Sequence, residues 1–497
     1  MDGAVSARTT RSNRGEIIAL RFAVLIFLAL RFYYDLKADL LGDEAYYWMW
    51  GQHLGWSYFD HPPLHAWLLR LASIAAGWHP FSVRLLTWAS LAAVLAIFWS
   101  WARRLSPDAP QLWFWRSAAV YLASPLFFGL TMIAYNDHLL VALSLLAVHC
   151  LVRFTENLET DPRPRWRWLY AAAAALGFAT LSKYNGALVG LGLLLAFLLR
   201  PSLRVTLRTP HPWLAALLAL AMQAPVLYWN LTTGLASFRY HLDDRWGGAA
   251  GHFAPMHAVN FVMLSALLWS PFLLWPLVGV LRNKPAPGFE DRATSIAIPV
   301  FAASTLVLLT VSSVLDAYFY WNIVAFVGLM PLLPRVMPSA ILRWAHIAFG
   351  LAVASLVVCD LAVVPPGPLL GHEDRGSSIN FGWGEIADHV RAAAARQPVD
   401  LYAATRYSTA SQLGFALGTA DAVKLSPEHS QYDYWQVEEN LSGKSALILT
   451  DEPDGSPQIE WLKAHFADLN QADAFSISRF GAPIYSWRIF HGDGYRP

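Results

Sequence analysis

Two adjacent carboxylates, Asp43 and Glu44, follow the first apolar run, with Tyr46 just beyond them and Asp60-His61-Pro62-Pro63 in the same segment. A carboxylate within reach of a hydroxyl can act as a general base. The plainer account is that an acidic side chain caps a helix start, satisfying free N–H groups and complementing the dipole, but one cap explains one carboxylate and not two. Asp60-His61-Pro62-Pro63 reads as a turn between interfacial helices, because Pro suits a first helical position and restricts its predecessor. The same pair also offers an imidazole that can face an anion and a carboxylate that can orient it. Asp137, in Tyr135-Asn136-Asp137-His138, joins two apolar runs with almost no loop. It either caps the next helix or serves a cavity, since an ionisable group near hydrocarbon is costly without a partner. Lys183, in the next such turn, either snorkels to the interface or contacts a phosphate. Arg239, His241 and Arg245 could hold a phosphate or diphosphate through charge-assisted bonds, with Gly247 and Gly248 letting the segment move. The alternative for that segment is a solvated loop with internal ion pairs.

His241, His252 and His257 lie near acids, but their spacing gives no metal motif on a helix. Oxygen ligands from Asp43 and Asp137 leave a divalent cation conceivable as a cofactor, and no other cofactor is indicated. No glycine loop for nucleotide phosphates is present: Gly190 and Gly192 sit inside an apolar helix without a preceding strand.

The elements that must position these groups belong to a membrane protein. Of 497 residues, 56% are hydrophobic and 14% charged, the net charge is +1 and the mean hydropathy is +0.37. That balance excludes a disordered chain and gives no basis for nucleic-acid binding. Cys150 and Cys359 both fall in apolar runs and suit small buried side chains, so redox chemistry is not supported. About eleven spans are predicted, near 16–37, 82–102, 116–134, 139–154, 168–181, 185–200, 212–230, 257–281, 294–314, 318–334 and 341–364. The fifth and sixth are short enough to form a merged or re-entrant pair.

Arg8, Arg11 and Arg14 precede the first run, which Arg21 interrupts, so the run is expected to stay attached rather than be cleaved. Arg103 and Arg104, Arg163 to Arg167, Arg200 to Arg208, Arg282 to Arg292, and Arg335 with Arg343 all fall on one side of an eleven-span path. This predicts a cytoplasmic N-terminus and a far-side C-terminal segment. The chemistry-bearing residues then share the far side, bordered by Tyr46, Tyr47, Trp48 and Trp50 as interfacial rings. After Pro365-Pro366-Gly367-Pro368 the composition becomes mixed, which divides the chain into a 1–364 membrane domain and a 365–497 soluble domain. The latter reads as a small α/β module, with helices at 384–396 and near 457–468 and strands at 399–404, 445–450 and 483–490.

These residues resemble a family. The topology, Asp43-Glu44, Tyr46-Tyr47-Trp48, Asp60 to Leu64, Asp137 and Lys183-Tyr184 are similar to the GT-C membrane glycosyltransferases. More narrowly they resemble the bacterial relatives of dolichyl-phosphate-mannose protein mannosyltransferases and the aminoarabinose transferase of lipid A. The Gly42 to Leu64 block is similar to rhizobial-type enzymes that add galacturonic acid to lipid A or lipopolysaccharide core. The resemblance covers roughly residues 15–360. It implies a GT-C fold with a polyprenyl-phosphate-linked sugar as donor, a glycolipid or other periplasmic acceptor, inversion at the anomeric carbon, and an inner-membrane location in a bacterium. By match of position, Asp43 would be the general base, Glu44 would hold the sugar or the base, Asp137 is the second acidic position, and Lys183 is the positive residue near the donor phosphate. His61 matches only the narrower subgroup. Asp60, Tyr46, Arg239 and Arg245 complete the expected substrate-binding set. Asn136-Asp137 stands where the family has an Asp-Glu pair, which weakens the case for protein mannosylation. A transporter of lipid-linked sugar would also place charges in a membrane cavity, but it would be expected to show repeated halves, and none is seen. An envelope scaffold would leave Asp43, Asp137 and Lys183 without a task.

Overall fold

In hydrocarbon the backbone of an apolar run must satisfy its own N–H and C=O groups, and the α-helix does so. Each of the eleven runs is built of helix in the computed structural model, which describes residues 2–161, 163–241, 253–372, 374–436 and 438–497. Among the described residues, five helices are long and apolar enough to cross a membrane: Asn13–Lys37, Pro80–Leu105, Asp137–Thr160, Phe289–Ser312 and Ala340–Ala362. The number rises to eight if three bent pairs each count as one span, with bends of 42°, 88° and 51°. Proline explains the bends. Pro225, Pro271 and Pro331 each stand at the start of the second half, where the missing N–H interrupts the ladder but suits a first turn. The runs at 168–181 and 185–200 are the helices Arg167–Ser182 and Gly186–Leu199, of 16 and 14 residues. A full crossing takes about 20.

By compactness the chain forms two units. One comprises Met1–Arg31, His61–Leu64 and Leu86–Ser355. Its helices approach closely where glycine permits: a β-carbon on Gly192 would meet the Val300 backbone, and one on Gly350 would collide with the Ala123 carbonyl. Arginines assigned above to one membrane face are tied into ion pairs, Arg200 with Glu159 at 2.8 Å and Asp291 at 2.9 Å, and Arg343 with Glu16 at 2.7 Å.

The other unit comprises Phe32–Asp60, His65–Leu85 and Leu356–Pro497. The first-loop helices α2 (Gly42–Gln52) and most of α3 (Leu64–Ala76) therefore group with the C-terminal segment, whereas a cut at 364/365 places them in the membrane domain. The physical reason is that α2 is buried nearly all round but only 11 residues long. It buries Trp48 against Trp78 and Phe415, with ring centroids 5.9 and 5.7 Å away. Phe415 belongs to the helix Tyr407–Leu417.

The sheet of this unit contains β1 (Leu401–Ala404), β2 (Val423–Lys424), β3 (Ala446–Thr450), β4 (Phe466–Arg479) and β5 (Ala482–Tyr495), in the order β2-β1-β3-β5-β4. β1 is parallel to β2 and β3, and β5 is antiparallel to β3 and β4. Ala403, Ile448, Ile459, Leu462, Phe466 and Phe490 form its core. The helices Trp383–Arg396 and Pro457–His465 agree with the predicted ones, and β1, β3 and β5 with the predicted strands. β4 was not foreseen, and its first residues lie where the second helix was expected to continue.

Candidate functional site

The first cluster lies in the second unit and begins at the N-terminus of α2. Leu41 is the N-cap, and the Glu44 carboxylate reaches back to accept from the Leu41 N–H at 3.1 Å. The capping role thus falls to Glu44. Its oxygens also accept from Arg84 Nε at 3.0 Å and Nη2 at 2.7 Å, and from the Tyr34 hydroxyl at 3.3 Å. Glu44 and Arg84 are both fully buried. Arg84 further donates to the Tyr34, Ala38 and Asp39 carbonyls at 2.9 to 3.2 Å, so one guanidinium locks the chain reversal from α1 (Asp2–Lys37) into α2. A carboxylate so closed in and so paired holds structure. It is poorly placed to touch a sugar.

Asp43, one residue earlier, is only half-buried. Its Oδ1 accepts from the Tyr407 hydroxyl at 3.2 Å. Tyr46, one turn along α2, packs its ring 4.5 Å from that of Tyr407 and accepts from the Gln431 N–H at 2.7 Å. The Tyr46 hydroxyl is also hydrogen-bonded to Asp60. Asp43 lies close enough to hold the Tyr407 phenol far above its ordinary value, with burial, Asp60 and Glu428 adding to the effect. Burial chiefly, then Asp60, does the same to Tyr46. Both phenols are thus kept protonated, as donors. Asp43, Tyr46 and Asp60 lie together in this cluster. Tyr407 and Gln431 join them from residues with no visible signal. Arg84 did carry one: a lone arginine in an apolar run calls for a buried partner.

The second cluster lies in the first unit. Asn136 is the N-cap of the helix Asp137–Thr160, and Asp137 is its first residue. Lys183 ends the helix Arg167–Ser182 in an extended conformation. Its Nζ is 2.8 Å from both oxygens of Asp137, and both side chains are buried. The Tyr320 ring lies 5.0 Å from the same ammonium. Lys183 lines a cavity of about 350 Å³ with His61, Tyr184, Asn185, Phe238 and His241, and Leu188, Val307, Leu308, Val311 and Trp321 make much of the rest apolar. The imidazoles of His61 and His241 have centroids 6.5 Å apart. Tyr184 and Ser237 share a hydrogen bond of 2.9 Å beside His241. Arg239 is exposed and does not line this cavity. Arg245 and His252 lie outside the described residues. Among the described residues, no group of three or more His, Cys, Asp or Glu is placed to hold a metal ion.

Residues 60–229 match the family model described as dolichyl-phosphate-mannose-protein mannosyltransferase. The fold matches the crystal structure of ArnT from Cupriavidus metallidurans bound to undecaprenyl phosphate, with a TM-score of 0.60 at 16% identity over 95% of this chain and 97% of that one. The chain has the fold of the GT-C membrane glycosyltransferases. The apo form of the same ArnT matches this chain with a TM-score of 0.57, again at 16% identity and with 95% and 97% of the chains covered. A curated relative, the lipid A galacturonosyltransferase RgtD of Rhizobium johnstonii, is 24% identical over 459 residues, spanning 88% of this chain and 90% of its own. This multi-pass chain thus has counterparts along nearly its whole length, C-terminal segment included.

Proposed function

We propose that this protein is a glycosyltransferase that moves a sugar, with inversion at the anomeric carbon, from a polyprenyl-phosphate donor to lipid A or lipopolysaccharide core. The transfer takes place on the periplasmic side of a bacterial inner membrane, with the N-terminus in the cytoplasm. The observation that carries the reading is the cavity: cationic and imidazole groups at one place, apolar walls around them, and a volume in the usual range for ligand pockets. A phosphate on a hydrocarbon tail needs that combination. An ammonium has three donors, and Asp137 uses two of those of Lys183, so the remaining one can meet a phosphate oxygen while Asp137 holds the group in place. End-to-end similarity to RgtD makes galacturonate the first sugar to test. The undecaprenyl phosphate bound to ArnT supports the carrier.

Phosphate leaves readily, so the chain's residues must orient the acceptor, take its proton and stabilise the departing charge. Asp43 takes the acceptor hydroxyl proton as the oxygen bonds to the anomeric carbon. The bond from that carbon to the phosphate oxygen breaks, and its electron pair leaves with the phosphate. Glu44, with Arg84, fixes the helix that carries Asp43. Asp60 and Tyr46 border the acceptor.

The test is mass spectrometry of lipid A and core oligosaccharide from cells lacking the gene, complemented with the wild type or with Asp43→Asn. We expect a sugar-sized mass that returns with the wild type only. An Asp43→Asn protein that reaches the membrane and restores the mass removes Asp43 as the base. Unchanged lipid A and core, with lipid-linked sugar accumulating, overturns the acceptor assignment.

A further inference from the structure

The C-terminal segment does more than cover the first loop. The helix Tyr407–Leu417 is fixed on α2 at several points: the Gln412 side-chain amide donates to the Leu40 carbonyl at 2.7 Å, Gly42 has no room for a β-carbon against Ser408, and the Tyr407 ring rests on Tyr46. Tyr407 stands at the first position of that helix, so its hydroxyl is aimed by both the helix start and the Tyr46 ring. It donates to Asp43 Oδ1 at 3.2 Å.

We propose that Tyr407 is a positioning residue for Asp43: its hydroxyl orients the carboxylate and favours its ionised form, so that the base is ready when the acceptor hydroxyl arrives. The proposal rests on the reading of Asp43 as the base. The groups around the bond make such help necessary. Asp60 and Glu428 both lie near the Tyr407 hydroxyl, and further negative charge beside a carboxylate works against its ionisation. A neutral donor on the carboxylate works the other way. The same acids keep the phenol protonated, so it remains a donor throughout and does not compete as a base. Tyr46 is held to Asp60, and Lys424, Arg406 and Asp433 are charged groups beside Glu428.

The experiment uses the full-length protein in detergent, with undecaprenyl-phosphate-linked galacturonate as donor and lipid A from cells lacking the gene as acceptor. Wild type and Asp43→Asn are compared first, and a fully active Asp43→Asn defeats the base assignment itself. With that assignment standing, Tyr407→Phe keeps the ring on Tyr46 and removes only the donor. We expect kcat about tenfold lower, as for the loss of one hydrogen bond to a charged group, with KM for both substrates within about twofold. The acidic limb of the kcat/KM profile should move to higher pH. Gln412→Ala, which loosens the same helix without touching Asp43, should lower the melting temperature and leave the limb in place. Incorporation of 3,5-difluorotyrosine at 407, a stronger donor, should move the limb to lower pH and gives a second readout if Tyr407→Phe folds poorly. A limb that stays fixed in both Tyr407 variants, or that moves equally in Gln412→Ala, overturns the proposal.

Discussion

Asp39 accepts from the Gly382 N–H at 2.8 Å and the Trp383 N–H at 3.3 Å, yet its burial outweighs these bonds and the nearby Arg479 and Arg84, and its pKa lies above the ordinary Asp value. Between the unfolded and the raised folded pKa, the folded chain therefore holds a proton on Asp39 that the unfolded chain would release. A raised folded-state value gives a contribution fully present below the unfolded pKa and lost as pH rises through the folded one. Asp39→Asn keeps a carbonyl acceptor for the two amides and carries no charge. We expect the wild type to lose melting temperature relative to Asp39→Asn as pH rises from the ordinary Asp range through the raised value, with the variant the more stable at pH 7. A wild type that gains on the variant across that window would mean that the amide bonds and arginines dominate. At this scale, Asp43, Asp60, Asp137, Lys183 and His61 were legible because charged and imidazole groups are rare beside apolar runs, and Tyr46 because it follows Asp43-Glu44 in the same segment. Tyr407 was not, since nothing in Arg406-Tyr407-Ser408 distinguishes it from any other helix start. Adjacent Asp43 and Glu44 looked equivalent in sequence and part company only in space, where Arg84 takes one of them.

Helices were legible wherever hydrocarbon dictated them, and their breaks followed proline. The strand β4 was hidden for the opposite reason: most of its residues face solvent, so no alternation of apolar side chains announces it. Pairing with β5 across the Phe480-Gly481 turn, where both residues have positive φ, supplies its order. Close packing between elements was also invisible, although it leaves a sharp test. A methyl group on Gly350, in the helix Ala340–Ala362, would collide with the Ala123 carbonyl, and a backbone atom cannot swing aside. Gly129, in the helix Pro125–Met132, has open space at its β-position. Gly350→Ala should therefore cost about 1–3 kcal/mol by overpacking. Gly129→Ala should gain about 0.5–1 kcal/mol by stiffening the helix. Thermal unfolding of the two variants in one detergent decides the matter, and equal shifts would show that the Ala340–Ala362 helix yields to make room.

At the scale of the whole molecule, the composition break after 364 marks a boundary between a membrane domain and a soluble domain, and sequence shows no more, because the contacts that join the first loop to the C-terminal segment link residues more than 300 apart in the chain. The rings of α2 make the consequence testable. Tyr46, Trp48 and Trp50 are all buried in the second unit, two of them directly against Tyr407, Tyr432 and Phe415. Each fully buried aromatic of this kind contributes roughly 1.5–3 kcal/mol, and an 11-residue helix does not hold its shape in water without such packing. A chain ending at 364 still has its long apolar helices and should enter the membrane. Its 42–60 segment, however, should become open to protease in spheroplasts or solubilised membranes, and sugar transfer to lipid A should be lost along with Tyr407. Supplying residues 365–497 as a separate chain should restore protection and transfer together, because the contacts that fix Asp43 require no covalent link to form. Protection of 42–60 in the truncated chain would instead mean that α2 is ordered by the bilayer surface alone, and the C-terminal segment would then have no part in holding the base.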